Sequence, residues 1–542
     1  MDPTPPSRAS AGRHADSGPL TSPARLRGIL IALCAALALV VAGNSALAIA
    51  LPDIALDLDA DQGELTWIID AYALTFAALL LSAGLAADRL GRRTVLVAGL
   101  IVFGAASVAS AFSPNPEWFI ALRAVSGIGA AAIFPVTLSA LVDAYPPERR
   151  TFAIAVWSGV SSAGAVAGTI VAGLLLEAFW WGSVQLVFGG VALVLIVPVV
   201  ILVAQHRDPS LSADVPGAIW SVVALGGIVF GIIEGPQRGW DDALTISSLA
   251  LGAAGLVGFI VHQLRSRTPS LDVRLFRNRG LAAGSLIVTV QFFASLGLFV
   301  LAPQYLQLVR EYTPLGAALA LLILPVGVGA GIGGSVALAK RFGQGLPGSL
   351  GLLLMAGGFA LCAWTLGDGA EASIAVLVAG LVVYGVGFGM GITPGTELII
   401  EGLPAERRSV ASAVNDITRE VGGVLGIAVL SSILVSAYRD EIGPAVAELP
   451  DAAQEVIESG AGAAIGAAEA FGPAGAAIAD AARDAFAVGL GTSFWVASAI
   501  LAVAAVVCAL LAPGRTRRDE PGESAAGRGA EPSREAPAAR ER

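Results

Sequence analysis

Apolar runs alternate with short polar stretches along almost the whole chain. They fall at residues 28–51, 65–87, 94–112, 118–142, 151–176, 183–204, 215–234, 244–264, 280–303, 315–338, 347–366, 373–400, 409–437 and 486–512. About 20 apolar residues is the length a helix needs to cross a bilayer core, where the backbone must satisfy its own hydrogen bonds. The pattern therefore predicts an all-α polytopic membrane protein with fourteen spans. Residues 1–27 and 513–542 are rich in Pro, Gly, Ser or charge and read as disordered tails. Arg25 and Arg27 before the first run resemble the start of a signal peptide. That run is too long and too many others follow, so it reads as an uncleaved first span.

Composition agrees, with 56% hydrophobic and 14% charged residues, against about 25% charged in soluble domains. The charges are sorted between loops. Arg89, Arg92, Arg93, Arg149, Arg150, Arg207, Lys340, Arg341, Arg407 and Arg408 fall on one side if there are fourteen spans, while Asp57, Asp59, Asp61, Glu64, Glu117, Asp368 and Glu371 fall on the other. Positive charge marks the cytoplasmic side, so both termini are expected there. Cys34, Cys362 and Cys508 lie singly in apolar runs, and His14, His206 and His262 lie in tails or near helix ends. Neither set suggests a disulfide or a metal. With no phosphate loop and no nucleophile constellation, the chain is expected to be neither an ATP-driven pump nor an enzyme. No cofactor or nucleic-acid partner is implied, and the chain reads as a monomer.

The chain also repeats itself. A-D-R-L-G-R (Ala87–Arg92) returns as A-K-R-F-G-Q (Ala339–Gln344), and P-P-E-R-R-T-F-A-I-A-V (Pro146–Val156) as P-A-E-R-R-S-V-A-S-A-V (Pro404–Val414). Gly164 and Gly168 follow the first E-R-R as Gly422 and Gly426 follow the second. The copies keep their membrane orientation, the mark of a parallel repeat. Two six-helix bundles, 28–204 and 280–512, then leave the runs 215–234 and 244–264 as a pair inserted within 205–279. The second bundle contains a long extracellular loop, 438–485, acidic and rich in Ala and Gly, parts of which suit an amphipathic surface helix.

G-L-A-A-D-R-L-G-R-R-T (Gly84–Thr94) resembles the loop signature between the second and third helices of the major facilitator superfamily. W-I-I-D-A-Y, R-A-V-S-G-I-G-A-A and V-N-D-I-T-R-E-V-G-G look like its fourteen-span drug:proton antiporter branch. The resemblance implies the major facilitator fold and alternating access by two rocking bundles. It also implies proton-driven export of amphipathic small molecules, drugs or antibiotics, across a bacterial plasma membrane. Gly84, Asp88, Arg89, Gly91, Arg92 and Arg93 would form a short gating loop, with Asp88 and Arg92 latching the cytoplasmic face. Gly164, Gly168 and Gly173 match the antiporter signature of the fifth helix, with Thr169 in place of its proline. The acid usual in the first helix is missing: Gly43 stands there, followed by Asn44 and Ser45.

Charges inside a membrane are costly and mark function. Asp70 and Arg123 lie at similar depth in the second and fourth spans, so a buried pair between them is expected, with Asp70 as proton carrier in place of the absent acid. The competing reading is a solvated Asp70 and an Arg123 that snorkels to the interface. Asp416, Arg419 and Glu420 share one helix face, and suit a structural ion pair better than a proton relay. Asn44, Ser45, Gln291, Phe292 and Phe293 are candidates for the cavity wall. Two other functions fit the same pattern, an uncoupled exporter of metabolites or lipids and a transporter-like sensor.

Overall fold

The structure, a computed structural model, describes residues 23–206, 214–266, 269, 271–403, 408–468 and 475–511. Residues 1–22 and 512–542 lie outside this description, as do Glu406 and Arg407 of the second E-R-R. No strand occurs among the described residues. The first half comprises α1 (Pro23–Leu58), α2 (Gln62–Leu90), α3 (Arg92–Ser110), α4 (Pro116–Ala144), α5 (Pro147–Leu176) and α6 (Gly182–Leu202). A hairpin follows, α7 (Val215–Arg238) and α8 (Ala243–Arg265). The second half comprises α9 (Arg279–Gln304), α10 (Pro314–Ala320), α11 (Ile323–Phe342), α12 (Gly345–Leu366), α13 (Ile374–Glu401), α14 (Arg408–Val446), α15 (Asp451–Ser459), α16 (Ala461–Ala468) and α17 (Gly475–Leu511). Among the described residues 13 stretches are long and apolar enough to cross a membrane, with α10 and α11 forming one of them. The helix α5, whose apolar part is Ala163–Leu176, stands beside them and is consistent with a fourteenth span.

The packing repeats as the sequence does. In the first half α1 packs on α4, α5 and α6, α2 on α4, and α3 on α4 and α6. In the second half α9 packs on α13, α14 and α17, α11 on α13, and α12 on α13 and α17. Each contact maps onto its counterpart, giving two six-helix bundles of one design. Small residues explain the closeness. A Cβ on Gly168 would collide with the Ala42 carbonyl of α1, and one on Gly426 with the Phe293 carbonyl of α9. The repeated glycines thus seat α5 on α1 and α14 on α9. Gly173 instead abuts Leu315 of α10, where the two halves meet.

Three stretches depart from the expected boundaries. Gly84–Thr94 is not a loop: α2 stays helical through Leu90, and Gly91 alone turns the chain into α3. Helix continues because polar residues beyond the apolar run still make their backbone bonds, ending only where Gly91 takes φ 109°, a conformation that favours glycine. Gly343 repeats this corner between α11 and α12 with φ 81°. Each glycine N–H donates at 2.9 Å to the carbonyl four residues back, on Ala87 and Ala339. Second, the run 315–338 is broken into α10 and α11 at Leu321-Leu322. Third, segment 438–485 is largely helical rather than a loop among the described residues. α14 and α17 extend into it, and α15 and α16 fold down, with Gly462 against Ala55 and Gly466 against Leu56 of α1. Tyr438, Ile442, Val446 and Ile457 are buried in this cap, and the Tyr438 hydroxyl donates to the Ile457 carbonyl at 2.9 Å.

The halves touch at the end that carries this cap. The Gln307 amide donates to the Ile49 carbonyl at 3.0 Å, and the Thr313 hydroxyl to Glu177 at 3.0 Å. One apolar cluster runs there from Leu47, Leu51 and Ile54 of α1 into Leu298 and Leu301 of α9 and Tyr438 of α14. The inserted hairpin lies along the side of the same seam. The Ser221 hydroxyl of α7 donates to the Ala78 carbonyl at 3.1 Å, the Trp67 indole to Glu234 at 3.1 Å, and Arg439 to the Pro236 carbonyl. These contacts set α7 antiparallel to α2 and parallel to α14. Arg238, beyond the membrane-spanning part of α7, is raised above its ordinary value by the hydrogen bond and charge of Glu234.

Candidate functional site

Three groups of intramembrane polar residues stand out, one in each half and one at the seam. In the first half Arg123 is 2% exposed, so it does not snorkel to an interface. Its Nε donates to the Ile68 carbonyl at 3.0 Å, its Nη2 donates to Asn44 Oδ1 at 3.0 Å, and its guanidinium lies 4.2 Å over the Tyr72 ring. Close packing makes this possible: a Cβ on Gly127, one turn after Arg123, would collide with Thr75 and the Tyr72 carbonyl of α2. Tyr72 also begins an aromatic ladder through Phe76 and Phe134 to Trp157, with centroids 6.1, 5.6 and 5.6 Å apart.

The expected pair of Asp70 with Arg123 is not formed. Asp70 is 0% exposed, and among the described residues neither carboxyl oxygen has a hydrogen-bond partner. Arg123 reaches toward α1, while Asp70 sits on the opposite side of α2. There it shares a face with Trp67, Ala73 and Ala77, which cluster with Val229 and Ile233 of α7 and Val424 and Ala428 of α14. Ser431 of α14 also carries a buried hydroxyl with no hydrogen-bond partner among the described residues. Asp70 is thus neither a solvated aspartate nor half of an ion pair. It is a carboxyl enclosed where both halves meet the inserted hairpin.

In the second half Asp416, Arg419 and Glu420 form no ion pair among the described residues. The Arg419 guanidinium lies 4.5 Å over the Phe292 ring instead, and Phe292 meets Phe388 edge-on at 5.8 Å. The i,i+3 spacing allowed an Asp416–Arg419 bridge, but the aromatic face of α9 takes the guanidinium. Gln291 is sealed between α9 and α13 rather than lining open space: it is 0% exposed and donates to the Phe388 carbonyl at 3.1 Å. Phe293 is half-buried. Ser45 donates to its own helix at the Val41 carbonyl, 3.2 Å away, so of the first-helix pair only Asn44 joins the Arg123 cluster. The repeat register aligns Asn44 with Ser295, which bonds the Tyr384 hydroxyl of α13 at 2.6 Å.

At the far end the Gly91 corner is braced within the first half. Arg92 donates to the Ser139 carbonyl at 3.0 Å and pairs with Asp143 of α4. Gln205 after α6 donates to the Leu90 carbonyl at 3.3 Å and to Thr94 Oγ1 at 2.7 Å, and Arg93 reaches the Val200 carbonyl. Arg89 is exposed and Gly84 half-buried. The Asp88 side chain lies outside the described residues, as do those of Arg150, Ser158, Ser161, Ser162 and Arg408. In the second copy Gln344 replaces Arg92 and bonds Glu397, which the register aligning Pro146 with Pro404 sets opposite Ser139. The sequence reading missed Tyr72 and Asp143. Tyr72 lay inside the quoted W-I-I-D-A-Y stretch, and Asp143 three residues before the E-R-R repeat's first proline. No group of three or more His, Cys, Asp or Glu suited to a metal occurs among the described residues.

Residues 33–427 match the family described as Major Facilitator Superfamily. The chain is 34% identical to the multidrug efflux pump LfrA of Mycolicibacterium smegmatis, over 83% of this chain and 88% of that protein. It is 30% identical to the tetracenomycin C resistance and export protein of Streptomyces glaucescens, over 76% of each. Among solved structures it is similar to a bacterial homologue of the human lysosomal transporter Spinster, in an inward-facing and unoccupied conformation. That match has a TM-score of 0.64 at 18% identity and covers 91% of this chain and 98% of the other, a likeness of fold.

Proposed function

The chain belongs to the Major Facilitator Superfamily and is a multi-pass membrane transporter, and from that premise we propose that it exports amphipathic aromatic molecules in exchange for protons, with Asp70 as the proton carrier. The observation that carries the coupling is the enclosure of Asp70 without a partner at the seam of both halves. An ionised carboxylate there would have neither solvent, counter-charge nor hydrogen bond, a cost of several kcal/mol. The group therefore holds its proton while the seam is closed. When the halves rock apart, water reaches Asp70 and the proton can leave. Proton binding and the choice of open end are then one equilibrium, as antiport requires.

The Gly91 and Gly343 corners carry the basic loops and face the cytoplasm in this reading, with both termini on that side. The capped end, where the halves touch, is then the outer one, and the described state is closed outward. Phe292 and Phe388, both half-buried, offer aromatic faces to a planar substrate, and Arg419 is held on the Phe292 ring. Drug names among the relatives, efflux pump and resistance and export protein, support export of such compounds. The reading is tested by expressing the protein in bacteria lacking their own efflux pumps and following ethidium, tetracenomycin-like polyketides and neutral antibiotics. Lower accumulation that a protonophore reverses supports coupled export. Accumulation unchanged for the whole panel, with the protein present in the membrane, contradicts drug export.

A further inference from the structure

A cavity of about 80 Å³ lies inside the second half, walled by residues of α9, α10, α12, α13 and α17 and by none of α2 or α14. Its wall is apolar, including Leu298, Leu377, Leu381 and Phe494, with Tyr305 and Arg310 at one end. Ile374 and Val378 form its exposed side. Exposed apolar residues on a helix that crosses the bilayer face lipid, so the cavity opens beside α13 to the membrane. Tyr305 and Arg310 follow α9 through a π-helical turn, Tyr305–Val309, which widens the helix where the cavity begins. Arg310 Nη1 is fixed by the carbonyls of Ala370 at 2.8 Å and Ala372 at 3.3 Å. The Tyr305 side chain is buried, and its hydroxyl lies against the Arg310 guanidinium.

We infer that this cavity is a binding site for a membrane-dissolved amphiphile with a carboxylate head and an unbranched apolar chain. Two donors, a guanidinium and a buried phenol, converge on one end of an otherwise apolar space, and both favour an anionic acceptor. Size selects the tail. A cavity of about 150 Å³ holds one benzene, so about 80 Å³ seats the carboxylate with its first methylenes, leaves the rest of the chain to run out beside α13, and excludes a fused-ring drug. The exposed side on α13 gives entry from the bilayer without passage through the central route. The site is independent of the proposed export reaction and stands or falls apart from it.

The test is photo-crosslinking of the full chain in phosphatidylcholine nanodiscs with dodecanoic acid bearing a diazirine close to its carboxylate. Adducts are expected on the peptides around Leu298–Leu306 and Ile374–Leu381. Excess dodecanoate should suppress them and dodecylamine should not. Tyr305→Phe, which removes the hydroxyl that faces Arg310 and leaves the ring in place, should weaken labelling about fivefold, the loss of one hydrogen bond. Leu377→Trp, which fills the cavity, should remove it. Adducts spread over lipid-facing α7 and α8 without competition would overturn the site. Equal competition by dodecylamine would overturn recognition of the carboxylate.

Discussion

Arg123 is the largest fully buried side chain among the described residues, and its partners are a carbonyl, an amide oxygen and an aromatic face. Such a cation is satisfied by geometry rather than by counter-charge. Arg123→Lys keeps the charge but loses the planar fork that serves Ile68, Asn44 and Tyr72 together. Substrate efflux should fall at least about tenfold, equivalent to about 1.4 kcal/mol, while Asn44→Ala, which removes one acceptor, should cost about 1–3 kcal/mol of stability. Efflux rates and thermal unfolding in detergent measure both. The charged residues of this site were legible in the sequence, because Asp70, Arg123 and Arg419 interrupt apolar runs. Their partners were not. Which way a side chain leaves its helix depends on neighbours distant in sequence. Thus Arg123 found Asn44 rather than Asp70, and Arg419 found Phe292 rather than Asp416.

The helices themselves were legible from the apolar runs, and the repeat in sequence returned as a repeat in packing. What the runs could not give was where helix outlasts hydrophobicity. α2 runs on through polar residues to Leu90, and α14 and α17 continue into an acidic stretch held by Tyr438 and Ile457. The two corner glycines allow a graded prediction. Both adopt positive φ, so alanine at either is strained by about 1–3 kcal/mol. A Cβ on Gly91 would also collide with Gln205, whereas one on Gly343 meets open space. Gly91→Ala should therefore lower the thermal midpoint more than Gly343→Ala, and equal shifts would contradict the Gln205 brace. For the packing glycines, Gly168→Leu and Gly426→Leu should each destabilise their half, since neither carbonyl they face can retreat from an added side chain.

Over the whole molecule the halves meet at the capped end and along the α2–α14 seam, with the inserted hairpin as a side wall. If opening that end is part of the cycle, tying it shut must stop transport. Glu177 and Thr313 belong to different halves and their side chains are 3.0 Å apart. A Glu177→Cys/Thr313→Cys pair should crosslink under oxidation, reduce efflux at least about tenfold, and recover with reductant. Full efflux in the crosslinked protein would exclude an outward opening there. The most direct measurement of coupling uses proteoliposomes with a substrate gradient and an internal pH dye, wild type beside Asp70→Asn. Asparagine matches the carboxyl in shape but carries no exchangeable charge, so the variant should fold, keep substrate exchange and lose proton movement. Proton flux at the wild-type ratio to substrate in Asp70→Asn would contradict Asp70 as the carrier.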